Sequence, residues 1–592
     1  MALTPGAKLG PYEIQSPLGA GGRGANLKRI LQEAVSITFL LVSTLASTQT
    51  PTAPKIDLTE QVDKVFQKWN RTDSPGCALS VMKDGRIVYK HGYGMADLDH
   101  NVTITPSTVF HVASMSKQFT AASILLLAQQ GKLSLDDDVH KYIPELPNFG
   151  SLITIRHLIY HTSGLRDQWN LLELAGWRYS LDLITDEDVM SVVTNQKDLN
   201  FRPGEKHVYC NTGYTLLAII VKRVSGMSFR EFTTKNIFEP LGMNHTFFRD
   251  DHAEIVKNNA YGYESKEGGP FRLGLTNFDT AGATSLHTTV EDLALWDENF
   301  YHPRVGGPSF LDQMLQRGKL NNGETLDYAF GLVLGKYKGL PTVDHGGADA
   351  GYRSDMTRFP EQHFSVAVLC NDAETNPSSL ARSVADIYLA QDLKAPEPSA
   401  ATPRPGINLT EQQFSGLQGL YWNRDGDQFL KTYLKDGKLR ISFGAKDDYA
   451  LKAVSETFFH IADTPWGDEA NFHFEPSAGG KLSRFLQSFG DEKPELFESV
   501  PSSTPTAAEL ADYEGSYVSQ EIEPVYRMVV QDGKLTLTRL KHKPDQLEPR
   551  ILDVFTAEIG TIRFTRDSSR RVSGFVLNSG RIRNFRFTRR AS

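Results

Sequence analysis

Ser114 and Lys117, three residues apart in Ser114-Met115-Ser116-Lys117, are a nucleophile and a base at a spacing that can bring them together. A serine hydroxyl attacks only when a base takes its proton, and a lysine serves as that base only where its charged form is disfavoured. The residues that follow, Phe119 through Ala128, are continuously apolar and helix-compatible, with Gly131 placed as a C-cap. On a helix, positions i and i+3 share a face, so Ser114 Oγ and Lys117 Nζ can meet in apolar surroundings. The helix N-terminus brings its partial positive charge beside Ser114, where an oxyanion would form. The chain contains its own control: Ser80-Val81-Met82-Lys83 has the same spacing inside a predicted strand, where i and i+3 project to opposite faces. Taken alone, Ser-x-x-Lys fits a satisfied core pair as well as a catalytic one.

Two further patterns carry chemistry. Tyr209-Cys210-Asn211 follows the Pro203-Gly204 turn and precedes the helical run Tyr214 to Val221. A loop tyrosine beside a lysine can exchange protons with a nucleophile, and Asn211 can hold the lysine or a substrate carbonyl. The bland alternative is a capped turn, and Tyr421-Trp422-Asn423 repeats the pattern in a β-rich region. His345-Gly346-Gly347 lies after the Pro341 turn and before the strands Tyr352 to Phe359 and Phe364 to Cys370. Glycines there would admit a substrate backbone, and a free N–H could complete an oxyanion hole.

Around these residues the chain has ordinary globular composition, with 23% charged and 10% aromatic residues in 592, enough for two to four domains. A net charge of -8 gives no field that would gather phosphates, so nucleic acid is not an expected partner. The basic run from Arg581 to Arg590 reads as a solvated strand face. Three cysteines, Cys77, Cys210 and Cys370, argue against a disulfide core, and none has metal-ligand spacing. Residues 56–393 alternate helical and strand patterns, with strands at Cys77 to Met82 and Ile87 to His91 around the turn Lys83-Asp84-Gly85-Arg86. Residues 394–407 are a Pro-rich, semi-rigid linker. Beyond it the chain is β-rich and repeats itself: Gly419-Leu420-Tyr421 and Asp436-Gly437-Lys438-Leu439 return at one common offset as Gly515-Ser516-Tyr517 and Asp532-Gly533-Lys534-Leu535. Two β units, 408–501 and 509–592, are expected, with Ser502 to Ala508 between them.

Ser114-x-x-Lys117, Tyr209-x-Asn211 and His345-x-Gly347, in this order, resemble the penicillin-recognising serine hydrolases: class C β-lactamases, DD-peptidases, D-aminopeptidases and certain esterases. The phrases His161-Thr162-Ser163-Gly164-Leu165 and Pro240-Leu241-Gly242-Met243 fit the same group. The resemblance implies an α/β fold of the serine β-lactamase/transpeptidase type, an antiparallel sheet flanked by helices plus a helical subdomain, followed by an antiparallel all-β region of two small barrels. It implies that Ser114 attacks, that Lys117 and Tyr209 move its proton, and that Asn211 orients Lys117 and substrate. The N–H groups of Ser114 and Ala348 would form the oxyanion hole. It implies no cofactor and no metal, and a small molecule or short peptide as substrate. His345 departs from the β-lactamase pattern, standing where a lysine normally attracts a substrate carboxylate; histidine, with a pKa of about 6.5, is mostly neutral at pH 7. An amide or ester, including peptides of D-residues, is therefore the expected substrate, ahead of β-lactam or DD-carboxypeptidase turnover. A cell-wall-peptide or penicillin binding module with slow deacylation is the reading from another class.

The N-terminus reads separately. Residues 1–25, with Gly19-Ala20-Gly21-Gly22-Arg23-Gly24, resemble the opening of a bacterial protein kinase without the lysine, His-Arg-Asp or Asp-Phe-Gly elements that phosphoryl transfer needs, so a non-functional leader is expected. Residues 26–50, with Lys28 and Arg29 before the apolar Ala34 to Ala46, have the layout of a secretory signal. The run is short for a membrane span, which leaves an N-terminal anchor as the alternative. A periplasmic or secreted location follows, or a cytoplasmic one if this internal segment goes unused.

Overall fold

Cys77 to Lys83 is apolar at nearly every position, as a strand covered on both faces must be, and all of it except Lys83 is buried. The computed structural model describes residues 58–591 apart from 266–268, 395–406, 408, 444–447, 462–469, 477–481 and 490–492, together with two short paired strands, Lys8–Leu9 and Tyr12–Glu13. Residues 1–56 and 57–592 are separate units. The signal-like segment 26–50, most of the kinase-like leader and the interior of the Pro-rich stretch lie outside the described residues.

Six strands, Cys77–Lys83 (β1), Arg86–Tyr93 (β2), Val333–Tyr337 (β3), Leu340–Asp349 (β4), Tyr352–Phe359 (β5) and Phe364–Cys370 (β6), form an antiparallel sheet in the order β3-β4-β5-β6-β1-β2. The helices that matter to the site are Thr59–Phe66 (α1), Ser116–Gln129 (α2), Gln168–Leu174 (α3), Asn211–Ser225 (α4) and Pro377–Tyr388 (α5). One face of the sheet carries Leu79, Val81, Val366 and Val368 against Val62 and Phe66 of α1 and Leu380 and Val384 of α5. The other carries Ala78, Met82, Met356, Ala367 and Leu369 into the core that holds α2 and α4. The alternation of neighbours between the two faces is the period of two expected of a strand.

Cys77 and Cys370 stand directly opposite each other on β1 and β6 and form a disulfide, their Cα atoms 4.0 Å apart. This corrects the expectation that no disulfide holds the core. A count of three rules out a framework but not a single cross-strand bond, and a partner 293 residues away leaves no spacing pattern to read. Cys210 is the free, buried cysteine.

The C-terminal region forms two antiparallel nine-stranded sheets, each a nearly closed barrel, spanning Gly419–Asn423 to Glu495–Val500 and Gly515–Val518 to Ile582–Arg589. In each, the first strand sits between the second and the last. Both use an Asp-Gly hairpin turn with positive φ, 53° and 71° at Asp436 and Gly437, 51° and 73° at Asp532 and Gly533. In each, a tyrosine of the first strand donates to a carbonyl four residues back, Tyr421 to Leu417 and Tyr517 to Tyr513. The decoy Tyr421 is thus a buried structural residue.

The second barrel shares its core with the hydrolase body, Tyr526 and Phe587 lying in one apolar cluster with Leu171 and Leu174 of α3. Tyr526 Oη donates to Leu174 O at 2.9 Å. Arg166, fully buried, pairs with Glu521 of the barrel at 2.5 Å and donates to the carbonyls of Arg583 and Asn584 at 3.0 and 3.3 Å. A charge pair this deep is tolerable because most of its other polar atoms are engaged: Arg166 Nη1 also reaches Gln196 and Glu521 accepts from Lys197 N, while Arg166 Nε is left without a partner.

Candidate active site

Ser114 lies in a 3₁₀ turn, Ala113–Met115, that runs into α2. Ala113 takes a positive φ of 48°, an unfavourable conformation for a residue with a Cβ. Ser116 secures the turn, its hydroxyl donating to Ala113 O at 2.6 Å and accepting from Leu286 N at 3.1 Å. Every residue from Ser116 to Leu127 is buried, whereas Ser114 is partly open. The chain turns left-handed at Gly131, φ 68°, just past the end of α2.

Lys117 Nζ is wholly buried and lies 3.1 Å from Ser114 Oγ, 2.9 Å from Asn211 Oδ1 and 2.7 Å from Ala283 O. The side-chain orientation of Asn211 is fixed from behind. Asp167, an acceptor, takes hydrogen bonds from Asn211 N at 2.7 Å and Nδ2 at 2.9 Å, so Oδ1 must face the lysine. Both Asn211 Oδ1 and Ala283 O only accept. An uncharged amine satisfies them with its two N–H groups and keeps its lone pair for the Ser114 hydroxyl. Burial pushes Lys117 down to about 7, with Arg581 adding to the effect and Asp167 opposing it. The control pair behaves otherwise: Ser80 Oγ donates to Val290 O at 3.0 Å and Lys83 Nζ to Gln362 O at 2.9 Å.

Tyr209 stacks close to Lys117, whose Nζ is 4.8 Å from the ring centroid. Burial raises its phenol well above the ordinary range, while a hydrogen bond with Ser114 and the charge of Arg581 pull the other way. The loop is seated by His161, which accepts from Cys210 N at 3.1 Å through Nδ1 and lies 4.3 Å from the Tyr209 ring. The His161 to Leu165 phrase, which spacing could not assign, is thus the seat of the Tyr209 loop. A Cβ on Gly164, φ 75°, would meet Phe201 O at 2.0 Å, so that seat needs glycine.

His345 is buried, its Nε2 3.2 Å from Tyr328 Oη and its Nδ1 2.6 Å from Gly346 O. Burial first, then Lys117, holds it down at about 4, so it carries no charge at pH 7. The two glycines differ. A Cβ on Gly347 would meet Val112 O at 2.3 Å and Ser114 N at 3.0 Å; one on Gly346 would find nothing nearer than 3.3 Å. Glycine at 347 is therefore required by the close approach of β4 to the Ser114 turn. Ala348, next on the strand, is exposed. The structure brings Ser114, Lys117, Tyr209, Asn211, His345, Gly346, Gly347 and Ala348 into one region, from three separate stretches of chain.

Residues 62–391 match the Beta-lactamase family. The chain belongs to that family. Penicillin-binding protein 4* of Bacillus subtilis (strain 168) is 32% identical over 394 residues, which cover 64% of this chain and 86% of that protein. D-aminopeptidase of Gluconobacter oxydans (strain 621H) is 30% identical over 358 residues, 60% of this chain and 64% of the relative, just under two thirds of its length. Among solved structures, the octameric penicillin-binding protein homologue from Pyrococcus abyssi superposes with a TM-score of 0.52 at 24% identity, covering 74% of this chain and 99% of that one. This last likeness is one of fold. As a member of the Beta-lactamase family the protein is a hydrolase, and among the described residues no helix is long and apolar enough to cross a membrane.

Within this Beta-lactamase-family site the sequence reading missed two charged residues. Asp167, the N-cap of α3, is 1% exposed and orients Asn211. The other is Arg581, whose expectation as part of a solvated strand face is corrected: its guanidinium lies 5.0 Å over the Tyr209 ring, and Nη1 is 3.6 Å from Asp167 Oδ2. Neither could be found by spacing, since one lies in a capping turn and the other in the second barrel.

Proposed function

We propose that the protein is a serine hydrolase that opens amides or esters through an acyl-enzyme on Ser114, with peptides containing D-residues as the favoured substrates. The observation that carries this reading is Lys117: a buried lysine with no carboxylate in contact, held by two acceptors and left with a lone pair for Ser114. In this mechanism neutral Lys117 takes the Ser114 proton as Oγ bonds to the substrate carbonyl carbon. The oxyanion is received by the N–H groups of Ser114 and Ala348. Tyr209, kept as a neutral phenol by its burial, gives its proton to the leaving nitrogen or oxygen and regains one from Lys117. The C–N or C–O bond breaks and the acyl group stays on Oγ. Water then enters, loses a proton to the Lys117–Tyr209 pair, and releases the acid with Ser114 restored. The relatives named D-aminopeptidase and penicillin-binding protein 4* support acyl transfer at amides. An extracytoplasmic location is part of the proposal, supported by the Cys77–Cys370 disulfide, a bond characteristic of oxidising compartments.

The test is a substrate panel of a D-alanyl anilide, a short-chain ester and a chromogenic cephalosporin, with intact-mass detection of a fluorophosphonate adduct. Turnover of the first two and a single adduct on Ser114 are expected. Full activity in Ser114→Ala, or no turnover and no adduct at all, would sink the reading.

A further inference from the structure

We infer that Arg581, delivered by the last hairpin of the second barrel, holds a carboxylate of the substrate and so sets specificity at the Ser114 site. The inference rests on Ser114 being the nucleophile and adds what the substrate presents beside it. The hairpin Val572–Ser579/Ile582–Arg589 turns at Gly580, φ 50°, directly against the hydrolase body. Two asparagines of that body grip the backbone of Arg581 itself: Asn170 Oδ1 accepts from its N–H at 3.1 Å and Asn200 Nδ2 donates to its carbonyl at 2.9 Å. Asn200 Oδ1 also accepts from Arg583 N at 2.7 Å, so the clamp fixes the start of the strand that leaves the turn. The buried Arg166–Glu521 pair anchors the same barrel beneath it. So thorough a fixation is more than a solvated arginine requires.

What the clamp presents is an accessible positive charge. The Arg581 side chain is 45% exposed and, among the described residues, makes no hydrogen bond; its approach to Asp167, at 3.6 Å, is a charge contact that leaves the fork of donors free. Lys117 is sealed from solvent and His345 and His161 are held neutral by burial, so none of the three can meet an anion. The guanidinium stands over Tyr209, whose ring centroid is 4.8 Å from the Lys117 Nζ that contacts Ser114. A planar, permanently charged fork at that place suits bidentate capture of a carboxylate. The charge that His345 lacks therefore comes from another barrel, and a peptide or thioester bearing a free carboxylate on its leaving side is the chemistry it fits.

The experiment compares kcat/KM for an acyl-thioglycolate and for its uncharged amide in the full-length wild type and in Arg581→Ala, Arg581→Lys and Arg581→Glu. The wild type is expected to favour the carboxylate by roughly ten- to a hundredfold, the range of one hydrogen-bonded charge pair. Arg581→Ala is expected to bring that ratio close to one, Arg581→Lys to keep part of it, and Arg581→Glu to invert it. Equal loss on both substrates, leaving the ratio intact, would make Arg581 a mere counter-ion to Asp167 and overturn the inference; so would a wild type with no preference. Fluorophosphonate labelling of Ser114 in the wild type is the separate check on the nucleophile, because that probe carries no carboxylate and its failure would indict Ser114 rather than Arg581.

Discussion

Raising the pH from 6 to 8 is the perturbation that probes Lys117 most directly. A lysine in water loses its proton near 10.5, and burial brings Lys117 to about 7. At pH 7 the neutral fraction therefore rises from roughly one in three thousand to about one half, a gain of about 4 kcal/mol in available base. Part of that gain is offset because a less basic amine pulls the proton more weakly. The profile should follow the neutral fraction: about one in eleven at pH 6, about ten in eleven at pH 8, hence close to tenfold in the rate of acylation, with a plateau above. The assay is the second-order rate of Ser114 labelling by an uncharged fluorophosphonate, read by intact mass across pH 5 to 10, with Lys117→Met as the baseline. Because the probe does not titrate, the midpoint belongs to the enzyme. A rate that climbs tenfold per pH unit through 9 without levelling would mean that Lys117 keeps its solution pKa and that burial does not make it a base. A flat profile would remove the lysine from the proton path altogether.

Three further outcomes follow from the same geometry. Gly347→Ala forces a Cβ into Val112 O and the nucleophile turn, so it should lower stability by about 1–3 kcal/mol and cut activity sharply, while Gly346→Ala is tolerated; thermal unfolding and turnover of the pair decide it. Lys117→Met should gain stability relative to wild type as pH falls from about 10.5 to about 7, by about 1.4 kcal/mol per pH unit, because there the unfolded lysine binds a proton that the buried one refuses; the difference should be constant below 7, and urea titrations at several pH values measure it. Arg166→Ala strands Glu521 in a dry interface at a cost of about 3–5 kcal/mol, and limited proteolysis should show the second barrel loosening while residues 409–443 keep their resistance.

The legibility of the site follows the range of the interactions that build it. Ser114 and Lys117 could be read because helical geometry alone makes them neighbours, and the same geometry dismissed Ser80 and Lys83. Tyr209 and His345 were visible as residue types in a pattern, but their electrostatic states were not: the phenol is pushed up and the imidazole down by burial, a property of the assembled fold. The double glycine was visible as a pattern, but the approach of the Ser114 turn to Gly347 was not, since the register of β4 against that turn is set by contacts more than two hundred residues apart. Asp167 hides among ordinary helix caps, Cys77 and Cys370 meet only because β1 pairs with β6, and Arg581 needed the docking of a whole barrel. The barrels themselves were visible because their Asp-Gly turns are local and occur twice.

The antiparallel pairing of β1 with β6 also governs when this protein comes into being. The strand that opens the body leaves the ribosome nearly three hundred residues before its partner, so over that stretch of synthesis one of its edges waits exposed. The sheet closes only after Cys370 has emerged. A ribosome-bound product that stops short of Cys370 therefore carries Ser114 without the finished sheet.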